Sequence, residues 1–467
     1  MGELVLAALA PHPPIIISEI GKGETERAER TVRAMRALAG RLEKAKPDTV
    51  IIISPHAPVF RDAVAIMGFP HVGGSFHQFG SKMRLDFSND LELAHAIAAR
   101  SRESGLPAVI LDEAGARRNR VPRELDHGVL VPAYFLAGDS PRFRLVPMSM
   151  GLGTPDELYR FGMSIARAVA DVDRRVALIA SGDLSHRLTR DAPAGYDPRG
   201  QEFDEQVVAA LERRDAVAVA ALDESLVSAA GECGLRPILM LLGALDSLTV
   251  QSEVISYEGP FGVGYAVAAF QPMGGPRSES LLPAIERALG LVAEERRRHE
   301  SAEVALARAA VEAYVRNGRV VEAPNPLPQG MEGRAGVFCS IHRGRELRGC
   351  IGTTSPTRSN IAEEIIRNAI AAATEDPRFD QVRPSELPQL TYKVDVLTPA
   401  ERISGPEELD PKRYGVIVRR GGRVGLLLPD LEGIDTVEEQ IAIARRKAGI
   451  GPNEEVELSR FEVVRHE

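Results

Sequence analysis

Between Leu4 and Ser54 the chain reads strand, helix, strand, and this order limits the fold more than any other feature. Leu4–Leu9 is a short apolar run. Glu24–Lys46 follows, with Val32, Met35, Leu38, Ala39 and Leu42 at the three-to-four spacing of an amphipathic helix. Thr49–Ser54 (TVIIIS) is apolar and β-branched, the pattern of a strand covered on both faces. Two strands joined through a helix run parallel. Ala108–Leu111, Tyr134–Ala137, Leu145–Met148, Val176–Ala180 and Gly264–Phe270 are further strand candidates, and Glu205–Leu222 reads as another helix. Residues 1–270 are therefore expected to form an α/β domain around a mostly parallel or mixed sheet.

A seam follows. Gln271–Ser280 (QPMGGPRSES) collects Gly, Pro and Ser, has little to bury and reads as a linker. Beyond it the pattern changes. Leu282–Arg298 and Ser301–Asn317 are charged, Ala- and Leu-rich helices, followed by strands at Gly336–Ile341 and Leu347–Ile351. Asn360–Thr374 reads as a helix and Leu390–Leu397 as a strand. The last helix, Thr436–Ala448, opens on a capping box (Thr436, Glu439) and ends at Gly449. Residues 281–467 are thus a second domain, of α+β class.

Composition excludes several function classes. The net charge of −9 and pI near 5.7 speak against general binding to nucleic acid or an anionic membrane. Trp is absent and aromatics are 5%, too few for a base-stacking platform. Three cysteines without a CxxC make no disulfide framework and fit a reducing cytosol. Met1–Ile20 is apolar but has no basic start and is broken by Pro11, Pro13 and Pro14, so no signal peptide is expected. No run approaches the ~18 apolar residues of a membrane span.

Chemistry is carried by histidines. His12 follows the first strand (APHPP) and His56 the second (SPHAP). In a parallel unit both strands end at one edge, where open α/β sheets bind ligands. His186, in SGDLSH, follows Val176–Ala180 and should arrive at the same edge. His127 lies in ELDHGVLVP, a loop entering another strand. One such imidazole is usually a hydrogen-bonded loop residue; three at successive strand ends point to a metal or catalytic cluster.

Two histidines leave a divalent ion needing a third ligand. SAAGECGLRPILMLLGAL offers Glu232 and Cys233, just before a helix with Pro237 in its first turn and an apolar Ile238–Leu242. Two His and a carboxylate suit non-haem Fe(II), whereas two His and a Cys favour zinc or copper. In the second domain, LRGCIG places Arg348 and Cys350 on one strand face about 7 Å apart, where a guanidinium would favour thiolate. The bland alternative is a packed cysteine and an Arg–acid pair.

On these motifs residues 1–270 resemble the LigB-like class III extradiol dioxygenases and the related Memo proteins. The shared pieces are APHPP, SPHAP, the DHG of ELDHGVLVP, SGDLSH and PFGVGYAVAAF. The resemblance implies Fe(II) held by His12, His56 and Glu232, and O₂-dependent cleavage of a small catechol-like substrate. It implies His186 as the acid/base and His127 as a second active-site histidine. Memo proteins carry a cysteine in a segment like CGLRPI, which makes Cys233 the alternative ligand and implies a metal site without ring cleavage.

Residues 281–467 resemble the AMMECR family through ELRGCIG, DPRFDQV (Asp376–Val382), ELPQLTYKVDVLTP and Gly433–Ile450. Memo-type and AMMECR-type domains occur fused or encoded together beside a radical SAM protein, under the label AmmeMemoRadiSam. The chain has no CxxxCxxC, so the radical SAM step implied by the resemblance belongs to a separate partner.

Overall fold

Apolar runs in the first part of the chain become ten strands: β1 (Glu3–Ala10), β2 (Thr49–Ser54), β3 (Val64–Met67), β4 (His71–Ser75), β5 (Arg84–Ser88), β6 (Ala108–Leu111), β7 (Arg144–Ser149), β8 (Arg175–Ser181), β9 (Val250–Glu258) and β10 (Tyr265–Pro272). The computed structural model describes residues 2–138, 142–274, 278–344, 346–384, 386–431 and 433–467. It divides into two compact units, Met1–Val292 and Ala293–Glu467.

Eight strands form one sheet in the order β6-β3-β7-β2-β8-β1-β10-β9, while β4 and β5 pair as a separate hairpin. β7, β2, β8 and β1 run parallel. β3 is antiparallel to β7, β10 to β1, and β9 to β10, so the sheet is mixed. β1 and β2 are parallel with β8 between them.

Alternation along β2 feeds two cores. Ile51 and Ile53 join helices Leu91–Arg100, Pro155–Asp171, Arg199–Arg213 and Leu235–Ala244 on one face. Val50 and Ile52 join helices Glu29–Ala45 and His127–Ala137 on the other. These four side chains are fully buried, and each contributes about 1.5–3 kcal/mol relative to exposure.

Two expectations are corrected. Tyr134–Ala137 is no strand but the end of helix His127–Ala137. That helix is buried almost all round, so its sequence lacks the polar stripe that would mark a helical period. The helix expected over Glu205–Leu222 is two, Arg199–Arg213 and Ala216–Ala220. Arg214 takes left-handed φ (54°) between them, and the Asp215 carboxylate accepts the Ala218 N–H to cap the second.

Within the expected linker 271–280, residues 275–277 lie outside the described residues. On either side the chain is tied to the first unit, Met273 N–H donating to Thr249 O and Ser278 N–H to Ser247 O. The division between units falls inside helix Leu282–His299, whose Ile285 is buried in the first unit's core.

The second unit contributes β11 (Val337–Arg343), β12 (Glu346–Gly352), β13 (Leu390–Leu397), β14 (Glu401–Ile403), β15 (Gly415–Arg420), β16 (Arg423–Leu427), β17 (Glu457–Phe461) and β18 (Val463–His466). They make two four-stranded sheets, β12-β11-β13-β18 and β14-β17-β15-β16. Helices Ala302–Asn317 and Ile361–Thr374 share a core with the first of these, and Val437–Lys447 with the second. Ser301, Asn360 and Thr436 cap these helices, Thr436 in a capping box with Glu439. This unit is α+β.

Candidate metal centre

The register of β1, β8 and β2 sets Ala10 beside Ser181 and Ile53 beside Ala180, so three strand ends open side by side. His12 leaves β1 after one proline and His56 leaves β2 after another. His12 is 2% exposed, while His56 keeps a solvent-exposed edge at the rim. Their Nε2 atoms lie 3.0 Å apart. Cys233 Sγ stands 3.7 Å from His12 Nε2, and the three donor atoms lie within 4.8 Å of one another.

Close backbone approach brings Cys233 there. A Cβ on Gly182 would sit 2.3 Å from Gly234 Cα, so glycine is required where the two loops meet. The Asp183 N–H points at Cys233 Sγ (3.3 Å) and the Cys233 N–H donates to Asp183 O (3.3 Å). The Glu232 carboxylate, expected as third ligand, instead accepts the Leu235 N–H at 2.7 Å, at the start of helix Leu235–Ala244. There it satisfies a free helix donor and meets the positive end of the helix dipole. The sulfur, not the adjacent carboxylate, completes the trio.

Hydrogen bonds fix the tautomers. The Ser181 hydroxyl donates to Gly128 O at 2.5 Å, so it accepts from His12 Nδ1–H at 2.9 Å, leaving His12 Nε2 as the lone-pair nitrogen. Gly128 O is free because Pro132, four residues on in its helix, has no N–H to donate back. Ser54 Oγ donates to Asp126 Oδ1 at 2.6 Å, and a Cβ on Gly128 would sit 2.3 Å from that hydroxyl. His186 Nδ1–H donates to Gly231 O at 2.6 Å, which leaves its Nε2 as the acceptor.

His127 is the first residue of its helix rather than part of a loop entering a strand. Its ring stacks on His56 (centroids 4.3 Å, 26° between planes) and meets His12 and Phe79 edge-on at 5.4 and 5.7 Å.

Crowding keeps the cluster uncharged. Burial pushes His12 well below the usual histidine range, helped by His56, His127 and His186. His56 is lowered to about 4, by burial and then His127, against the pull of Asp126. Burial also lowers His127. The Cys233 thiol is raised well above its ordinary value by burial and by Asp183. Asp183, whose Oδ1 accepts the His12 N–H at 3.0 Å, is raised to about 6 by burial.

These donors fit a metal ion. Two nitrogens on a tetrahedral zinc-sized ion stand about 3.3 Å apart, and a nitrogen and a sulfur about 3.6 Å. Here His12 Nε2 lies 3.0 Å from His56 Nε2 and 3.7 Å from Cys233 Sγ, with the third pair inside 4.8 Å.

In the second unit, Arg348 pairs with Glu386 (2.7 and 3.1 Å) and donates to Asp380 O. Ile341 pairs with Gly349 but His342 with Leu347, so Arg348 is a bulge residue and strand alternation does not align it with Cys350. Cys350 has other neighbours: Ser340 Oγ–H points at its sulfur (3.3 Å), and Asp376 accepts its N–H (2.9 Å).

A mixed α/β sheet whose polar side chains gather at the ends of its parallel strands defines the class of the first unit. Residues 6–268 match the catalytic LigB subunit of aromatic ring-opening dioxygenase, and the chain belongs to that family. Residues 304–466 match AMMECR1, so a LigB domain is fused to an AMMECR1 domain. Protein CA_C1420 of Clostridium acetobutylicum is 39% identical over 461 residues, 98% of each chain. A Thermotoga maritima protein is 53% identical over 159 residues, 33% of this chain and 91% of its own. Uncharacterized protein PH0010 of Pyrococcus horikoshii aligns with TM-score 0.33 and 36% identity over 35% of this chain and 88% of that one. JW3007 of Escherichia coli K12, also uncharacterized, aligns with TM-score 0.38 and 17% identity over 57% and 99%. No helix among the described residues is long and apolar enough to cross a membrane.

Sequence reasoning passes over Ser181, Asp183 and Asp126. Their signal is local: Ser181 directly follows the apolar run Val176–Ala180, Asp183 stands two residues beyond Ser181, and Asp126 precedes His127.

Proposed function

We propose that the first unit is a metal-dependent LigB-type domain in which His12, His56 and Cys233 hold one divalent ion. The observation that carries this reading is the convergence of the Nε2 atoms of His12 and His56 with the Cys233 sulfur, in a site that resists protonation. A sulfur donor suits zinc or copper better than the Fe(II) that a glutamate would favour. The domain is therefore read as a catalytically divergent, Memo-like member acting on a small oxygen-bearing substrate, with a radical SAM protein as a separate partner. When bound, the ion would polarise a substrate oxygen.

The chain's own groups do the rest. His186 takes a substrate hydroxyl proton at Nε2 while Gly231 O holds its Nδ1–H. His127, backed by Phe79, forms an aromatic wall beside His56. The alternative, Fe(II)-dependent cleavage of a catechol, rests on the match to the ring-opening dioxygenase family.

Metal analysis tests the first reading. Anaerobically purified protein should hold about one ion, lost in His12→Ala, His56→Ala and Cys233→Ala but kept in Glu232→Ala. Metal retained in both histidine variants overturns it. Oxygen uptake on a catechol panel by the Fe(II)-loaded protein, abolished in His186→Ala, would establish ring cleavage instead.

A further inference from the structure

The first unit has three deeply placed phenols whose hydroxyls are well separated from one another in role. Tyr159 donates to Asp246 and Tyr257 to Asp204, each at 2.7 Å. The third, Tyr265, is only 3% exposed, yet its hydroxyl has no hydrogen-bond partner among the described residues. Nor is that oxygen among the fully sealed, unsatisfied atoms of the core, so it keeps a narrow opening.

The position of Tyr265 says where that opening lies. The pairing of β1 with β10 ends at Leu9–Ala268, and Gly264 exchanges hydrogen bonds with Leu184 and Ser185, so Tyr265 opens β10 beside the loop that carries Asp183. The phenol also feels the charge of Asp183, the carboxylate that accepts the His12 N–H and whose Oδ2 lies 3.8 Å from His12 Nε2. A hydroxyl with no protein partner is left for water or a ligand to meet, and an acceptor held in place there gains a hydrogen bond without breaking one inside the protein. A phenol is a good donor to an oxygen anion, and burial keeps this one protonated.

We propose that Tyr265 is a catalytic residue of this site, its hydroxyl donating a hydrogen bond to an anionic oxygen of the substrate. The ligand class is thus a phenolate or enolate whose oxygen sits beside His12, and Tyr265 stabilises its charge without binding the metal. This rests on the reading of His12, His56 and Cys233 as a metal centre.

The test uses the full chain loaded with zinc, which is redox-inert, and 4-nitrocatechol, whose visible spectrum reports its ionisation on binding. Tyr265→Phe should bind zinc and melt as the wild type does, yet bind nitrocatechol roughly tenfold to a hundredfold more weakly, as for loss of a hydrogen bond to a charged group. Its bound spectrum should shift toward the less ionised form. Replacement by 3-fluorotyrosine, which acidifies the phenol and leaves it in place, should tighten binding, and this arm stands even if Tyr265→Phe folds poorly. Equal affinity in wild type and Tyr265→Phe overturns the proposal, as does loss of zinc in that variant. Zinc-loaded wild type that ignores nitrocatechol overturns it too. Failure of the metal reading shows separately, as zinc retained by His12→Ala.

Discussion

Ser181 accepts the Nδ1 proton of His12 at 2.9 Å because its own proton is committed to the Gly128 carbonyl at 2.5 Å. That carbonyl is available because Pro132 cannot close the usual helical bond to it. A proline inside a helix thus reaches, through one hydroxyl, the nitrogen that faces the cluster.

Ser181→Ala should therefore weaken zinc binding by roughly 10- to 100-fold, the usual effect of losing a group that orients a metal-binding histidine. Pro132→Ala restores an N–H that competes for Gly128 O and should weaken binding less. Competition against a chromogenic chelator measures both. Undiminished affinity in Ser181→Ala would show that His12 needs no external partner to orient its ring.

Proton counting identifies the third ligand. At pH 7.5 His12 and His56 are neutral, since burial and mutual repulsion hold them low, whereas the Cys233 thiol carries its proton. Zinc binding should then release about one proton per ion in wild type and in Glu232→Ala, and none in Cys233→Ala. An indicator dye in weakly buffered solution reads the release. No release in wild type would rule out thiolate ligation.

Much of this arrangement is legible in the sequence. TVIIIS announces a strand buried on both faces, and His12 and His56 follow parallel strands closely enough that their meeting is a consequence of topology. Thr436 and Glu439 mark a helix start by side-chain chemistry alone. The illegible parts depend on tertiary contact. His127–Ala137 carries no period because the protein surrounds it. Glu232 and Cys233 are neighbours in sequence, and only the packing of Gly234 on Gly182 decides which one turns inward. Arg348 leaves the expected alternation through a bulge that no local signal announces.

Asp204 gives the stability a pH dependence of known sign. Fully buried, it accepts the Ser185 N–H at 2.8 Å and the Tyr257 hydroxyl at 2.7 Å, and burial raises it to about 6 from 3.8. Its folded value lies above its unfolded value, so the folded state binds more protons between about pH 4 and 6. The stability it contributes is complete below about pH 4 and is lost as pH rises through 6, on the order of 3 kcal/mol in all. His56, lowered to about 4, acts in the opposite sense, losing stability as pH falls from 6.5. The difference between wild type and Asp204→Asn isolates the first effect. In urea unfolding, the stability of wild type minus that of Asp204→Asn should fall as pH rises from 4.5 to 6.5; a rise would contradict the assignment.

Gly182→Ala tests whether one backbone contact builds the centre. The added Cβ would meet Gly234 Cα at 2.3 Å, and the atoms in the way are backbone, which cannot swing aside as a side-chain tip can. Either β8's end or the Cys233 loop must move. β8 lies between β1 and β2 with parallel partners on both sides, so the loop is the softer element. The expected cost is about 1–3 kcal/mol, as for other forced overpacking. The loss should concentrate in metal binding, since retreat of the loop carries Cys233 Sγ away from His12 Nε2, now 3.7 Å off. Zinc affinity should fall to the level of Cys233→Ala, and proton release on binding should disappear with it. A variant that melts lower yet binds zinc and releases its proton as before would show that Cys233 reaches the histidines without this contact.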